Sequence, residues 1–126
     1  MKILILGKYF PPFEGGIEKY VYDISRKLVQ EKNCVWVIVS NTEKKYSFEK
    51  IEGINLIRVP RSIYFLRGFL TPPIINIVKK INPDIIHLNV PNPWFEINIL
   101  LFCIFYRKKI FITYHSDIIN YTPFHA

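Results

Sequence analysis

The chain has 126 residues and half of them are apolar, which suits a single domain with a buried core and argues against a disordered chain. Lysine and arginine are spread along the sequence and give a formal net charge of +7, which favours an anionic partner: a nucleotide, an acidic membrane surface or a nucleic acid. The N-terminal apolar run Ile3–Leu6 is too short for a secretory signal, and the longest apolar stretch, Ile97–Tyr106, is too short to span a membrane.

Short apolar runs rich in β-branched residues alternate with helical patterns along most of the chain. Strands are predicted at Lys2–Leu6, Cys34–Ser40, Ile54–Val59, Asp84–Leu88 and Lys109–His115. Helices are predicted at about residues 16–31, 72–81 and 94–106. Residues 41–50 and 89–93 are predicted as loops, and residues 60–68 follow no regular pattern.

Two features predict extensive burial. The third helix, Trp94–Tyr106, is apolar nearly all the way round, so we expect it to be packed on more than one side. Cys34 and Cys103 stand far apart in apolar runs, which favours buried thiols in a reducing compartment over a disulfide or a metal pair.

The alternation of strands and helices predicts an α/β domain over residues 1–126. Its core is a doubly wound parallel sheet of about five strands with helices on both faces. Right-handed crossovers then make 3-2-1-4-5 the expected strand order, in which strands one and four flank the point where the order reverses. Ligands bind such sheets beyond the carboxyl ends of the strands, near that point.

A glycine pair marks the first candidate site at this edge. Gly15 and Gly16 lie where the loop after strand one opens into the first helix, whose free backbone N–H groups and dipole attract a phosphate. The pair is part of neither a dinucleotide fingerprint nor a P-loop, because the further residues of those motifs are missing. A tight turn that lets the helix pack on the sheet is the alternative interpretation.

Polar residues close strands four and five at the same edge. His87 ends a buried strand, where a structural role is the stronger interpretation. His115 is followed by Ser116 and Asp117, a polar step directly after an apolar strand, which favours a ligand-binding role. The two histidines and Asp117 are residue types that bind metals, but no third close ligand is evident, so they do not predict a metal site. The aromatic and basic residues 64–67 fit either a membrane or acceptor contact or a loop over the core.

Three stretches in this order and at these spacings resemble the N-terminal part of retaining glycosyltransferases of family 4, which have the GT-B fold. They are Tyr9-Phe10-Pro11-Pro12 with Gly15-Gly16-Ile17-Glu18, Pro83-Asp84-Ile85-Ile86-His87 with Pro91 and Pro93, and Thr113-Tyr114-His115-Ser116-Asp117. Each motif is loose, but the resemblance covers nearly all of the chain up to about Ile119. It implies a Rossmann-like domain on the acceptor side of a two-domain enzyme.

The resemblance also implies a reaction and its residues. A sugar would pass with retention from a nucleotide-diphosphate donor, the co-substrate, to a saccharide or lipid-linked acceptor, and no metal or other cofactor is implied. Gly15 and Gly16 would approach the donor diphosphate, and His115 would be the catalytic residue beside the donor sugar. The residues that would bind the acceptor are Glu18, Asn89, Pro91 and Asp117. The implied location is the cytoplasm, at the inner face of the membrane through a peripheral contact.

The family's C-terminal donor-binding domain has no counterpart in these residues, so this half of a GT-B fold is expected to be truncated and inactive alone. The alternative origins of such a chain are a truncated gene product, a frameshifted product, an excised piece and one half of a split enzyme. The alternative function is a non-catalytic acceptor- or membrane-binding subunit paired with a separate donor-binding chain. Scattered basic residues argue against nucleic-acid binding. We also expect exposed apolar surface near Phe111 and Tyr114, with a tendency to associate.

Overall fold

The computed structural model describes residues 1–7, 16–41, 45–60, 63–65, 68–70, 74–90 and 93–114. The strands are β1 (Lys2–Leu6), β2 (Cys34–Ser40), β3 (Ser47–Ile51), β4 (Ile54–Val59), β5 (Ile63–Phe65), β6 (Gly68–Leu70), β7 (Ile85–Val90) and β8 (Lys109–Tyr114). The helices are α1 (Gly16–Gln30), α2 (Ile75–Ile81) and α3 (Pro93–Phe105). The predicted start of α2, residues 72–73, lies outside the described ranges.

The main sheet has six strands in the order β3-β4-β2-β1-β7-β8. All neighbouring strands are parallel except β3 and β4, which are antiparallel. The five predicted strands correspond to β1, β2, β4, β7 and β8, and their predicted order is confirmed. The order reverses between β1 and β7, so these two strands flank the crevice that a doubly wound sheet offers to ligands.

The edge strand β3 corrects the prediction of an exposed loop over residues 41–50. It pairs antiparallel with β4 through a tight turn at Glu52 and Gly53, both of which have positive φ angles. Arg58 of β4 forms an ion pair with Glu49 of β3. The strand is largely exposed on both faces, and an edge strand of this kind lacks the alternation of apolar and polar residues that a half-buried strand shows.

Two separate hydrophobic cores cover the two faces of the sheet. On one face, residues of β1, β2 and β4 pack with Val21 and its neighbours in α1. On the other face, Leu4 and Leu6 of β1 pack with residues of α2, β7 and α3. Successive β1 side chains therefore enter opposite cores, as the period of two in a strand requires. This arrangement confirms a doubly wound sheet with helices on both faces.

Among the α3 side chains whose burial is described, one side of the helix is buried and the other is exposed, which corrects the expectation that α3 packs on more than one side. Phe95, Ile99 and Phe102 are buried against the sheet. The opposite side leaves an exposed apolar stripe of four residues, Ile97, Leu100, Leu101 and Ile104. On the neighbouring edge strand β8, Phe111 and Ile112 are also exposed, so the predicted apolar surface near Phe111 is confirmed. None of the described helices is long and apolar enough to cross a membrane.

The polar residue within α3 has a structural function. Asn98 is buried, and its Oδ1 accepts a hydrogen bond of 2.9 Å from the backbone N–H of Ile74 at the start of α2. The first N–H groups of a helix have no partner within the helix. Asn98 therefore caps α2 from a different element and fixes the position of α2 against α3.

The prediction that both thiols are buried is wrong for Cys34, which is exposed because it begins β2 at the amino edge of the sheet. Cys103, on α3, is half-buried, and burial raises the pKa of its thiol. Neither cysteine forms a disulfide.

Replacing Leu100 and Ile104 with glutamate should reduce self-association. Both residues lie in the exposed stripe of α3, and removing exposed apolar surface disfavours contacts between copies. We expect sedimentation to show associated wild-type protein and a double variant with the mass of one chain. Lys80→Glu is the control, because it changes the net charge by two units at an exposed position and removes no apolar surface. A monodisperse monomeric wild type would contradict this expectation.

Candidate functional site

The candidate site lies at the carboxyl edge of the sheet, where β1 and β7 end side by side. Leu6 of β1 is in register with Leu88 of β7, and Asn89 is in register with Thr113 of β8. Helix α1, which begins at Gly16, is the next element along the chain after β1. The sequence features predicted to share an edge are therefore attached to neighbouring strand ends.

Helix α1 starts at this edge and packs tightly on the end of β1. A Cβ atom on Gly7 would lie 3.2 Å from Cγ2 of the buried Val21, so a larger residue here would require the Val21 side chain to shift by a few tenths of an ångström. Gly16 is the first residue of this 15-residue helix. Its position supplies backbone N–H groups and the positive end of the helix dipole at the crevice. Gly15 lies outside the described residues.

Glu18 lies in the first turn of α1 and is half-buried. This puts a carboxylate one turn or less from the start of the helix, at the same end as Gly16. An acidic side chain in this turn interacts favourably with the helix dipole. That stabilising interaction explains Glu18 without a ligand, and its predicted contact with an acceptor stays a prediction.

Asn89 belongs to β7 and not to the predicted loop, since β7 continues to Val90 by pairing with β8. Its side chain is buried, and Nδ2 donates a hydrogen bond of 2.9 Å to the carbonyl oxygen of Leu6. This bond joins the ends of β1 and β7 across the point where strand order reverses. Asn89 therefore fixes the shape of the crevice from within.

His87 is buried one layer below the edge. Its Nε2 shares a hydrogen bond of 2.7 Å with Oγ1 of Thr113. The imidazole ring also forms an edge-to-face contact with the ring of Tyr20, at 6.1 Å between ring centroids. These contacts link α1, β7 and β8, which supports the structural interpretation of His87. The partners Tyr20 and Thr113 were not predicted, because identifying them requires the strand register and the packing of α1.

The remaining predicted site residues, Pro91, His115 and Asp117, lie outside the described residues. In the sequence, His115 directly follows Tyr114, the last residue of β8, and Pro91 directly follows Val90, the last residue of β7. Within the described ranges, no group of three His, Cys, Asp or Glu side chains is close enough to hold a metal ion.

Comparison with known proteins agrees with this architecture. Over 96% of this chain, the fold is similar to sucrose-phosphate synthase from Thermosynechococcus elongatus, with a TM-score of 0.64 and 15% sequence identity. The chain spans 35% of the length of that synthase. No curated protein sequence matches it. The model of the family described as Glycosyltransferase Family 4 matches residues 14–125, which is most of the chain. The chain therefore belongs to glycosyltransferase family 4.

Proposed function

We propose that this chain is the acceptor-side domain of a glycosyltransferase that transfers a sugar from a nucleotide-diphosphate donor to a saccharide or lipid-linked acceptor, with retention of the anomeric configuration. The observation that carries the proposal is the meeting of the α1 start with the ends of β1 and β7 at the point where strand order reverses. A helix start binds anions, and this one faces the crevice where doubly wound sheets bind ligands.

In the proposed reaction, negative charge grows on the diphosphate as the bond to the sugar breaks. Backbone N–H groups at Gly15 and Gly16 stabilise that charge without reorganising. His115 bonds a hydroxyl of the donor sugar. Glu18, Pro91 and Asp117 contact the acceptor, while Asn89, through its bond to Leu6, positions the crevice.

The chain spans about a third of the synthase that it resembles, and we propose that the donor nucleotide binds mainly to a part outside these residues. That part is either a further domain of the same polypeptide or a separate chain. In the second case this chain is the acceptor- or membrane-binding subunit of a two-chain enzyme. The exposed apolar stripe of α3 and the net charge of +7 support a peripheral contact with an anionic membrane surface at the cytoplasmic face.

The test begins with the coding DNA on both sides of this chain, in all frames, to identify a partner domain. The chain is then assayed alone and with that partner for transfer of labelled sugar from nucleotide-diphosphate sugars to a membrane extract. We expect transfer with the partner only, and NMR of the product should show the anomeric configuration of the donor. Transfer by this chain alone would overturn the proposal that the donor nucleotide binds mainly to a part outside these residues. A product with inverted anomeric configuration would overturn retention.

His115→Ala should lower kcat/KM for the transfer about tenfold, the value of one net hydrogen bond to the donor sugar. The control is Lys27→Ala, since Lys27 is exposed in the last turn of α1, far from the start of that helix. Equal values of kcat/KM for the two variants would show that His115 is not part of the site. The melting temperature of each variant, measured separately, distinguishes a lost contact from a loss of folding.

A further inference from the structure

His87 is a polar residue in an otherwise apolar part of β7. It follows Ile85 and Ile86 and precedes Leu88, and its own side chain is buried. In the strand register it lies beside Ile5 of β1, whose side chain belongs to the core beneath α1. Side chains in register on neighbouring strands share a face, so the imidazole lies on the α1 side of the sheet. An apolar side chain would fill this place without the cost of burying a polar ring.

A hydrogen bond to the next strand offsets the cost of burying the imidazole. Nε2 of His87 and Oγ1 of Thr113 are 2.7 Å apart. The register partner of His87 is Phe111, so Thr113 lies two residues further toward the carboxyl end of β8. The bond therefore runs diagonally between the two strands and reaches the second-last residue of β8.

The end of β8 has few other contacts to hold it. In the described sheet β8 is an edge strand and pairs with β7 only. Phe111 and Ile112 in its centre are exposed, so they add little packing. Parts of a structure with few buried contacts open more easily than the core does. The bond from His87 to Thr113 therefore adds a restraint where the backbone pairing of β8 with β7 ends.

The same imidazole contacts the helix whose start borders the crevice. Its edge-to-face contact with Tyr20, at 6.1 Å between ring centroids, joins β7 to α1. Tyr20 is four residues after Gly16, which is about 6 Å along the helix axis. One side chain of β7 thus contacts both α1 near its start and β8 near its end, two elements that share no backbone pairing.

We propose that His87 is a positioning residue for sugar transfer: through Thr113 it fixes the direction in which the chain leaves β8 toward His115. The inference rests on the proposed function, in which His115 bonds a hydroxyl of the donor sugar, and deepens it by adding a residue that acts through another. A displacement of about 1 Å at a reacting group lowers a rate by up to about a hundredfold. A restraint two residues before His115 therefore affects transfer even where it adds little to the stability of the fold.

The test measures transfer by the chain with its partner domain. Thr113→Val keeps the shape of the side chain and removes the hydroxyl group, so kcat/KM should fall about three- to tenfold, the value of one hydrogen bond. Thr113→Ser keeps the hydroxyl group and should stay within about twofold of the wild type. In a His115→Ala background, Thr113→Val should change kcat/KM by less than about twofold, because the contact that it displaces is already absent.

Ser25→Ala is the matched control for the lost hydroxyl group. Oγ of the buried Ser25 donates a hydrogen bond of 2.6 Å to the carbonyl oxygen of Val21, also on the α1 side of the sheet. Ser25 is nine residues after Gly16, about 13 Å along α1, so it lies away from the crevice. Only Thr113→Val should lower transfer. A loss of transfer that is equal in both variants and follows the melting temperature would assign the bond of Thr113 to folding and contradict the proposal.

Backbone amide hydrogen exchange of the chain alone gives a readout that does not depend on transfer. Thr113→Val should speed exchange at the end of β8 and leave the interior strand β2 unchanged. Unchanged exchange in β8 overturns the inference, as do unchanged transfer in Thr113→Val and a further full loss in the His115→Ala background. These outcomes leave the proposed function intact as long as labelled sugar is transferred. Absence of transfer, with faster exchange in β8, would overturn the proposed function while showing the restraint on β8.

Discussion

Phe102→Ala should lower the free energy of unfolding by about 3–5 kcal/mol, as deletion of a fully buried aromatic ring does. Phe102 is 1% exposed, lies in the core shared by α2, α3 and β7, and stacks on Tyr106 at 4.8 Å between ring centroids. The substitution removes this contact and leaves a cavity that neighbouring side chains fill only in part. For a chain of this length the melting temperature should fall by roughly 10–20 °C.

Leu100→Ala is the control for this substitution. Leu100 is on the same helix but 66% exposed, so its truncation should change the free energy of unfolding by no more than about 0.5 kcal/mol. If Phe102→Ala does not fold, Phe102→Leu, which retains part of the buried volume, should show an intermediate loss in urea unfolding. Equal losses at positions 100 and 102 would mean that α3 does not pack in the orientation described.

Gly53→Ala should destabilise the fold by about 2–4 kcal/mol, through two independent costs. Gly53 has a φ angle of +85°, a backbone conformation that disfavours any residue with a Cβ atom. The added Cβ would also lie 2.7 Å from Cγ1 of Val29, on α1. The turn is held against α1 by Glu52, which accepts a hydrogen bond from Tyr22 and forms an ion pair with Arg26. This hydrogen bond raises the pKa of Tyr22.

The double variant Gly53→Ala with Val29→Ala separates the two costs in urea unfolding. Removing the valine methyl groups relieves the steric contact but not the backbone strain. The double variant should therefore be less destabilised than the sum of the losses in the two single variants. Val29→Ala alone is the control for the lost packing of the valine. Strict additivity of the two single variants would show that the contact carries no cost and that the backbone angle accounts for the whole effect.

The strand order was predictable because few connections are allowed between alternating strands and helices. The edge strand β3 was not, because an exposed strand has no apolar periodicity. The orientation of α3 was not predictable either. Its residues are apolar nearly all the way round, and its buried face includes Asn98, the most polar residue of its central turns.

The candidate site also has a part that was predictable from sequence and a part that was not. Strand ends in a doubly wound sheet can be located from sequence, so the glycines, His87 and Asn89 could be assigned to one edge. The bond from Asn89 to Leu6 joins residues 83 positions apart, and the contact of His87 with Thr113 depends on strand register. Apolar patterning specifies which face of a strand is buried but not which partner a polar side chain finds across the sheet.

The two cores differ in how much of the chain must be present before each can form. The buried residues of the core beneath α1 all lie between Ile3 and Leu56, so that core is assembled from sequential elements. The opposite core requires β1 to pair with β7, which brings Ile3 beside Ile85, and extends to Phe102. Closing so long a loop costs more conformational entropy than joining β1 to β2 does. During synthesis, α1 can therefore cover its side of the sheet before α2 and α3, which cover the other side, have been made.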